Sequence, residues 1–382
     1  MSRSLPFALV LGYLVVIVVV DLMTPASLRL DVYAALAPVT AAAVCTYRQT
    51  VFVGIADLLL MVAHHGVFAG DTETVNRVGS VLGNVLMVGT AVVIARLRRD
   101  GEELLERVRA TGEAAQRALL RPLPLRTQSV VVDGFYMSSQ REALIGGDIY
   151  EVVDTPYGTR VLIGDVRGKG LGTLGAGAAV LTAFREAAYH RRDLESGVEA
   201  MEQGLYRYHR TAEYESTARE VQASEEFVTA LVLGTEEAPA GQEGTGGRMQ
   251  LVFVDCGHLA PFVIGPDGAV RELETAEPGL PLGLGDLVAA PRTVQRIALP
   301  PGSRVLACTD GVTEARSADG GFYPLAERLG AWAALPTPEL LERLRTDLVA
   351  HTRGRLQDDA AMLVMERAPV SAGAVSGRTA RR

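Results

Sequence analysis

Hydrophobic positions follow two regimes along the 382-residue chain. Before residue 96 they form nearly uncharged runs, at Leu5 to Val20, Val32 to Val44, Val51 to Val67 and Val78 to Ala95. Each run is somewhat shorter than the roughly 20 apolar residues that cross a bilayer comfortably, and their number predicts four short transmembrane helices over residues 1–95. The first run precedes three others and lacks a small-residue cleavage site, which favours an uncleaved anchor over a signal peptide. Asp57, inside the third run, is an ionisable group at depth, readable as a buried ligand, a proton sensor or an inter-helix pair.

From 96 to 121 the chain reads "RLRRDGEELLERVRATGEAAQRALLR", rich in Glu, Arg, Ala and Leu and free of proline. Leu97, Leu104, Leu105, Val108, Ala115, Ala118 and Leu119 recur at roughly helical spacing, so this segment is expected to be a juxtamembrane linker helix with one narrow apolar stripe. Pro122 and Pro124 end it. Such a stripe suits pairing with its copy in a second chain, or packing of a single helix on its own domain.

After Pro124 the periodicity becomes that of a globular domain, expected over 122–368. "QSVVVDGFYMSS", "GDIYEVVD", "RVLIGDV", "EFVTALVLGT", "MQLVFVDCG", "PFVIG" and "SRVLACTD" read as strands bounded by Gly, Pro and Asp, with "DTPYGTR" a hairpin turn. Leu171 to Arg191, Leu194 to Thr211 and Glu339 to His351 have helical length and periodicity. The helices are grouped and do not alternate with strands, which predicts an α+β layered sandwich and not a doubly wound parallel sheet. "TEEAPAGQEGTGGRMQ" is expected to be an exposed loop, and residues 369–382 a disordered tail.

A net charge of -8 argues against a nucleic-acid partner. The three cysteines, Cys45, Cys256 and Cys308, lie far apart in apolar runs and suggest neither a disulfide framework nor a thiolate zinc site. Arg3, Arg48, Arg96, Arg98 and Arg99 flank the apolar runs on one side, so the positive-inside rule predicts a multi-pass protein of the cell membrane. It places the N-terminus and the globular domain in the cytoplasm.

Candidate chemistry lies at the strand ends. A hairpin built on "TPYG" brings Asp148 and Asp165 to the same end of the sheet, where two carboxylates repel unless a cation lies between them. Gly146, Gly147, Gly164 and Gly168 allow backbone to approach such an ion. Asp310, before Gly311, ends another strand, and Asp358 and Asp359 begin one. Oxygen ligands without cysteine or clustered histidine suit Mg²⁺ or Mn²⁺, and several carboxylates suit two ions about 3.5–4 Å apart clamping a phosphoryl group.

In order, "GGDIYE", "GDVRGKG", "FVTA", "DCGH", "PGLPLG", "CTDGVTEA" and "DDAAMLV" resemble the motif series of the SpoIIE/RsbU-type serine/threonine phosphatases of the PPM (PP2C-like) superfamily, over roughly residues 115 to 366. The resemblance implies a PP2C-like layered β-sandwich flanked by helices, here preceded by an all-α transmembrane region and the linker helix. It further implies hydrolysis of phosphoserine or phosphothreonine with two Mn²⁺ or Mg²⁺ ions. Asp165 would bridge them and act through the water between them; Asp148 and the Val166 carbonyl would hold one, and Asp310 and Asp358 the other. Asp359 is the neighbouring alternative to Asp358; Lys169 is a further candidate for substrate phosphate, and His258 for proton transfer. The implied partner is a phosphorylated protein, such as a STAS-domain anti-sigma-factor antagonist; the apolar stripe of the linker helix adds a second copy of the chain, as a homodimer. The alternative reading is a membrane-bound signalling scaffold that binds a partner without turnover, against which the intact set Asp148, Asp165, Asp310 and Asp358 weighs. The chain departs from the family pattern at Glu151, Arg167, Asp255, Cys256 and Ala361, and none of these removes a proposed ligand.

Overall fold

The computed structural model describes residues 4–23, 31–67, 74–139, 146–168, 171–215, 226–237, 249–273, 275, 279–285 and 292–367. Lys169, most of the loop near 240 and the tail at 369–382 lie outside the described residues. The chain divides into two compact units, Met1–Val108 and Arg109–Arg382.

The first unit is helical: α1 (Ser4–Met23), α2 (Asp31–Ala34), α3 (Leu36–Val44), α4 (Tyr47–Val67) and most of α5 (Thr74–Leu119). Val10, Leu14, Ala37, Ala41 and Val53 form its small interior. Large apolar side chains face outward, among them Leu9, Phe52, Leu59, Leu82 and Leu86. By length and apolar composition one described helix, over Val78–Leu119, is able to cross a membrane, and the apolar helix Leu5–Asp21 is shorter. Asp57 is 1% exposed and lies beside Asn84 of α5, an inter-helix polar pair. The fourth apolar run and the linker segment, distinct in composition, form one unbroken helix. No proline interrupts them, and Arg96–Asp100, Arg98–Glu102 and Arg99–Glu103 pair along the exposed side.

The second unit contains β1 (Leu125–Arg126), β2 (Val130–Met137), β3 (Asp148–Thr155), β4 (Gly158–Val166), α6 (Leu171–His190), α7 (Leu194–Glu215), β5 (Val228–Glu237), β6 (Met249–Cys256), β7 (Phe262–Ile264) and β8 (Val270–Glu272). They are followed by β9 (Gln295–Ala298), β10 (Arg304–Cys308), α8 (Asp310–Thr313), α9 (Leu325–Trp332), α10 (Thr337–His351) and β11 (Ala360–Arg367). The strands form two antiparallel sheets, ordered β1-β2-β11-β10-β7-β8 and β3-β4-β5-β6-β9. The layered α+β sandwich read from the sequence is thus observed.

Alternation along each strand builds the layers. Tyr150, Val152, Val161, Ile163, Val305, Ala307, Ala361, Leu363 and Met365 meet between the sheets. The residues between them point the other way. Ile149 and Leu162 pack under α6 and α7, and Leu306, Cys308, Met362 and Val364 pack under α8, α9 and α10. Burial on both faces explains why these strands read as continuous apolar runs and not as apolar/polar alternation. The three cysteines are free and buried.

Candidate metal centre

The β3–β4 hairpin turns through Pro156 and Tyr157. Thr155 pairs with Gly158, whose φ of 109° is open to glycine. The Thr155 hydroxyl donates to Gly158 O at 2.7 Å and accepts from Tyr157 N at 3.1 Å, which fixes the turn. Counting back from this turn, the register sets Asp148 opposite Asp165. Gly147, immediately before β3, leaves space that a side chain would fill: a Cβ there would press on the Asp165 carboxylate and lie 2.6 Å from the Val166 carbonyl oxygen. Asp165 and the Val166 carbonyl, both implied as ligands, therefore face the same gap.

Asp310 starts the short helix α8 directly after β10, and Asp358 and Asp359 precede β11, the strand hydrogen-bonded to β10. Burial first, then the charges of Asp310, Asp358 and Asp359, push the Asp165 carboxyl up to about 7. Burial and the charges of Asp165, Asp359 and Asp310 likewise hold Asp148 well above the usual carboxylate range, against the Thr309 hydrogen bond. The five aspartates predicted from the sequence thus act on one another electrostatically although up to 211 positions separate them in the chain. Among the described residues, no group of three or more Asp, Glu, His or Cys side chains is arranged as they stand to hold an ion.

Asp358 and Asp359 differ sharply. Asp359 is 2% exposed; one oxygen accepts from the Tyr136 hydroxyl and the other from Ser139 N at 2.8 Å. Asp358 is exposed, and one of its oxygens accepts from Asp359 N at 2.8 Å. His258 bonds through Nδ1 to the Thr229 hydroxyl at 3.1 Å, and burial pushes its pKa down to about 4.

The departures from the family pattern have local explanations. Glu151 has a fully buried side chain and pairs with Arg185 and Arg121. Arg167 lies over the Phe227 ring at 5.2 Å. Asp255 accepts from His258 N at 2.9 Å and fixes that turn. The side chain of Ala361 lies in the core between the sheets.

Thr309, Tyr136, Ser139 and Gln116 bond to the candidate ligands or their flanking backbone, and sequence reasoning missed them. Thr309 was visible only as a letter within "CTDG", yet its hydroxyl donates to Asp148 Oδ2 at 2.7 Å and accepts from Ala361 N at 2.9 Å. Thr309→Val leaves that buried N–H and the carboxylate short of a partner, and should lower the stability of the domain by about 1–3 kcal/mol in urea unfolding.

The donor set fits hard divalent cations. It offers carboxylates and one backbone carbonyl, without thiolate or histidine, and every charge named as acting on Asp165 is negative.

Several known proteins are similar to this chain. Protein IcfG from Synechocystis sp. is 29% identical over 121 residues, covering 31% of this chain and 18% of IcfG. The chain thus spans less than a fifth of that relative. The SiaA-PP2C domain of Pseudomonas aeruginosa superposes with a TM-score of 0.49 at 18% identity, covering 71% of this chain and 98% of that one. The RsbU and RsbW domains of Rv1364c from Mycobacterium tuberculosis give 0.46 at 22% identity, covering 63% and 60%. The family model for stage II sporulation protein E matches residues 155–368, which contain Asp165, Asp310, Asp358 and Asp359 but not Asp148. With more than half of its length so matched, the chain belongs to the stage II sporulation protein E (SpoIIE) family, in keeping with the motif series it resembles.

Proposed function

We propose that this chain is a membrane-anchored, metal-dependent protein serine/threonine phosphatase. The observation that carries the reading is the pairing of Asp148 with Asp165 across β3 and β4, with Asp310, Asp358 and Asp359 bearing on the same carboxylate. Asp165 would contact both of two Mn²⁺ or Mg²⁺ ions, Asp148 and the Val166 carbonyl one of them, and Asp310 and Asp358 the other. Asp358 is preferred over Asp359 because both Asp359 oxygens already accept hydrogen bonds from Tyr136 and Ser139. Such ions, when bound, supply Lewis-acid charge at the phosphoryl oxygens and lower the pKa of water. The protein's own part is to hold the carboxylates rigidly: Thr309 orients Asp148, and Gly147 keeps the gap beside Asp165 free of a side chain. It must also release the proton that burial, and after it mutual repulsion, retains at Asp165 near neutral pH.

The substrate is a phosphoprotein of a signalling pathway, with a STAS-domain anti-sigma-factor antagonist as the leading candidate from the family resemblance. Outward-facing apolar side chains on α1, α4 and α5 support anchoring in the cell membrane by several helices, with the catalytic unit cytoplasmic. Leu97, Leu104, Leu105 and Val108 are exposed in the single chain, between 38% and 66%, which supports a homodimer paired along that stripe. The test is phosphate release from a phosphoserine STAS protein by the full chain in lipid nanodiscs. Release should require Mn²⁺ or Mg²⁺, stop with EDTA and return when metal is restored; absence of turnover with either metal would leave a binding scaffold.

A further inference from the structure

We infer that Gln116 is a positioning residue for this centre, pinning the backbone on both sides of Gly147; the inference rests on the metal-centre reading above. Among the described residues β3 is the outermost strand of its sheet, and the backbone groups along its outer edge have no strand partner there. Alternate residues of an antiparallel strand direct their N–H and C=O to opposite edges. Gly147 faces inward, its carbonyl accepting from Val166 N at 3.0 Å. Gly146 and Asp148 therefore address the open edge, and Gln116 meets both. Its Oε1 accepts from Gly146 N and its Nε2 donates to Asp148 O, each at 3.2 Å.

A carboxamide carries one acceptor and one donor group side by side, so this side chain serves as a one-residue substitute for the missing strand. The opposite amide orientation would set N–H against N–H and oxygen against oxygen, so the two partners fix it. Gln116 is only 4% exposed, and a water molecule has little access to replace it. The helix end that carries it is itself secured to the domain. Arg185 donates to Leu119 O at 2.8 Å, and the Tyr150 hydroxyl donates to Arg121 O at 2.9 Å. The position of the end of α5 is thereby transmitted to the Asp148 carboxylate and to the gap at Gly147, through a side chain that touches neither the ions nor the substrate. Partners of this kind, one step removed from the ligands, commonly change metal affinity by about ten- to a hundredfold.

The test uses the full chain in detergent, stripped of metal and titrated with Mn²⁺, with free Mn²⁺ followed by electron paramagnetic resonance. Gln116→Met should weaken Mn²⁺ binding by about ten- to a hundredfold and speed hydrogen exchange at the Gly146 amide in the metal-free protein. Gln116→Glu keeps the acceptor for Gly146 N and, once ionised, loses the donor to Asp148 O, so at a pH where this carboxyl is ionised it should weaken Mn²⁺ binding while leaving that amide protected. Arg121→Ala removes a side chain that pairs with Glu151 and touches neither Gly146 nor Asp148, while the bonds from Tyr150 and Arg185 to the helix-end carbonyls remain, so it should bind Mn²⁺ as the wild type does. Unchanged affinity in both Gln116 variants, or an equal loss in Arg121→Ala, overturns the inference and leaves the metal centre standing. A wild type that takes up no Mn²⁺ removes the metal centre instead. In that case unaltered exchange at Gly146 in Gln116→Met overturns the pinning role as well.

Discussion

Asp165→Asn should lose phosphatase activity by about a hundredfold to a thousandfold, the scale of removing one electrostatic contact at a reacting centre. The same change should make the metal-free protein more stable. In the folded chain the Asp165 carboxyl titrates near 7, against an ordinary value of 3.8, because burial and three neighbouring carboxylates disfavour its charge. Its folded pKa is raised, so the folded state binds the proton more tightly than the unfolded state does. Stability is then unaffected below the ordinary value and falls as pH rises from about 4 to about 7. At about 1.4 kcal/mol per pH unit the loss reaches roughly 4 kcal/mol by pH 8, before allowance for the solvent that reaches this half-buried group. Thermal melting in EDTA should show wild type and Asp165→Asn alike at pH 4 and the variant melting higher at pH 8. Mn²⁺ should raise the wild type and not the variant. Identical pH profiles for the two proteins would mean that Asp165 is not under the strain described.

Glu151→Ala should cost the domain about 3 kcal/mol, at the lower end of the range for breaking a buried ion pair. The Glu151 side chain is fully buried, whereas those of Arg121 and Arg185 are 51% and 36% exposed, so the abandoned guanidinium groups regain water in part. Glu151→Gln keeps the volume and should cost less. The chain has a single tryptophan, Trp332 of α9, so its fluorescence in urea reports unfolding of the second unit alone. A loss below about 1 kcal/mol, the level of an exposed pair, would show that the two arginines contribute no more than surface charges do.

The sequence displayed the hairpin well because its information is local. A two-residue turn, a glycine with positive φ and two apolar runs suffice to set Asp148 against Asp165. The sandwich was legible from grouped helices and from strands whose two faces are both buried. What was not legible depends on encounters between distant residues. Tyr136 reaches Asp359 across 223 positions and Gln116 reaches Asp148 across 32, and neither residue belongs to a recognisable spacing. The glutamine lies in a charged helix where nothing in the sequence distinguishes it from its neighbours, and docking of that helix end buries it. The change of composition near residue 96 suggested a boundary, yet α5 runs through it, because helix continuity needs only the absence of a breaker and not constancy of hydropathy.

The buried, unpaired cysteines have a practical consequence for spectroscopy. Only the thiolate reacts with maleimides and nitroxide reagents, and desolvation first of all pushes both the Cys256 and the Cys308 thiols up to about 12. At pH 8 about one in ten thousand of either would be ionised, and packed core denies the reagent access to that fraction. A single cysteine introduced on the surface of the second unit can therefore carry a dye or spin label without first removing these two, and distance measurements can follow this unit in its native composition.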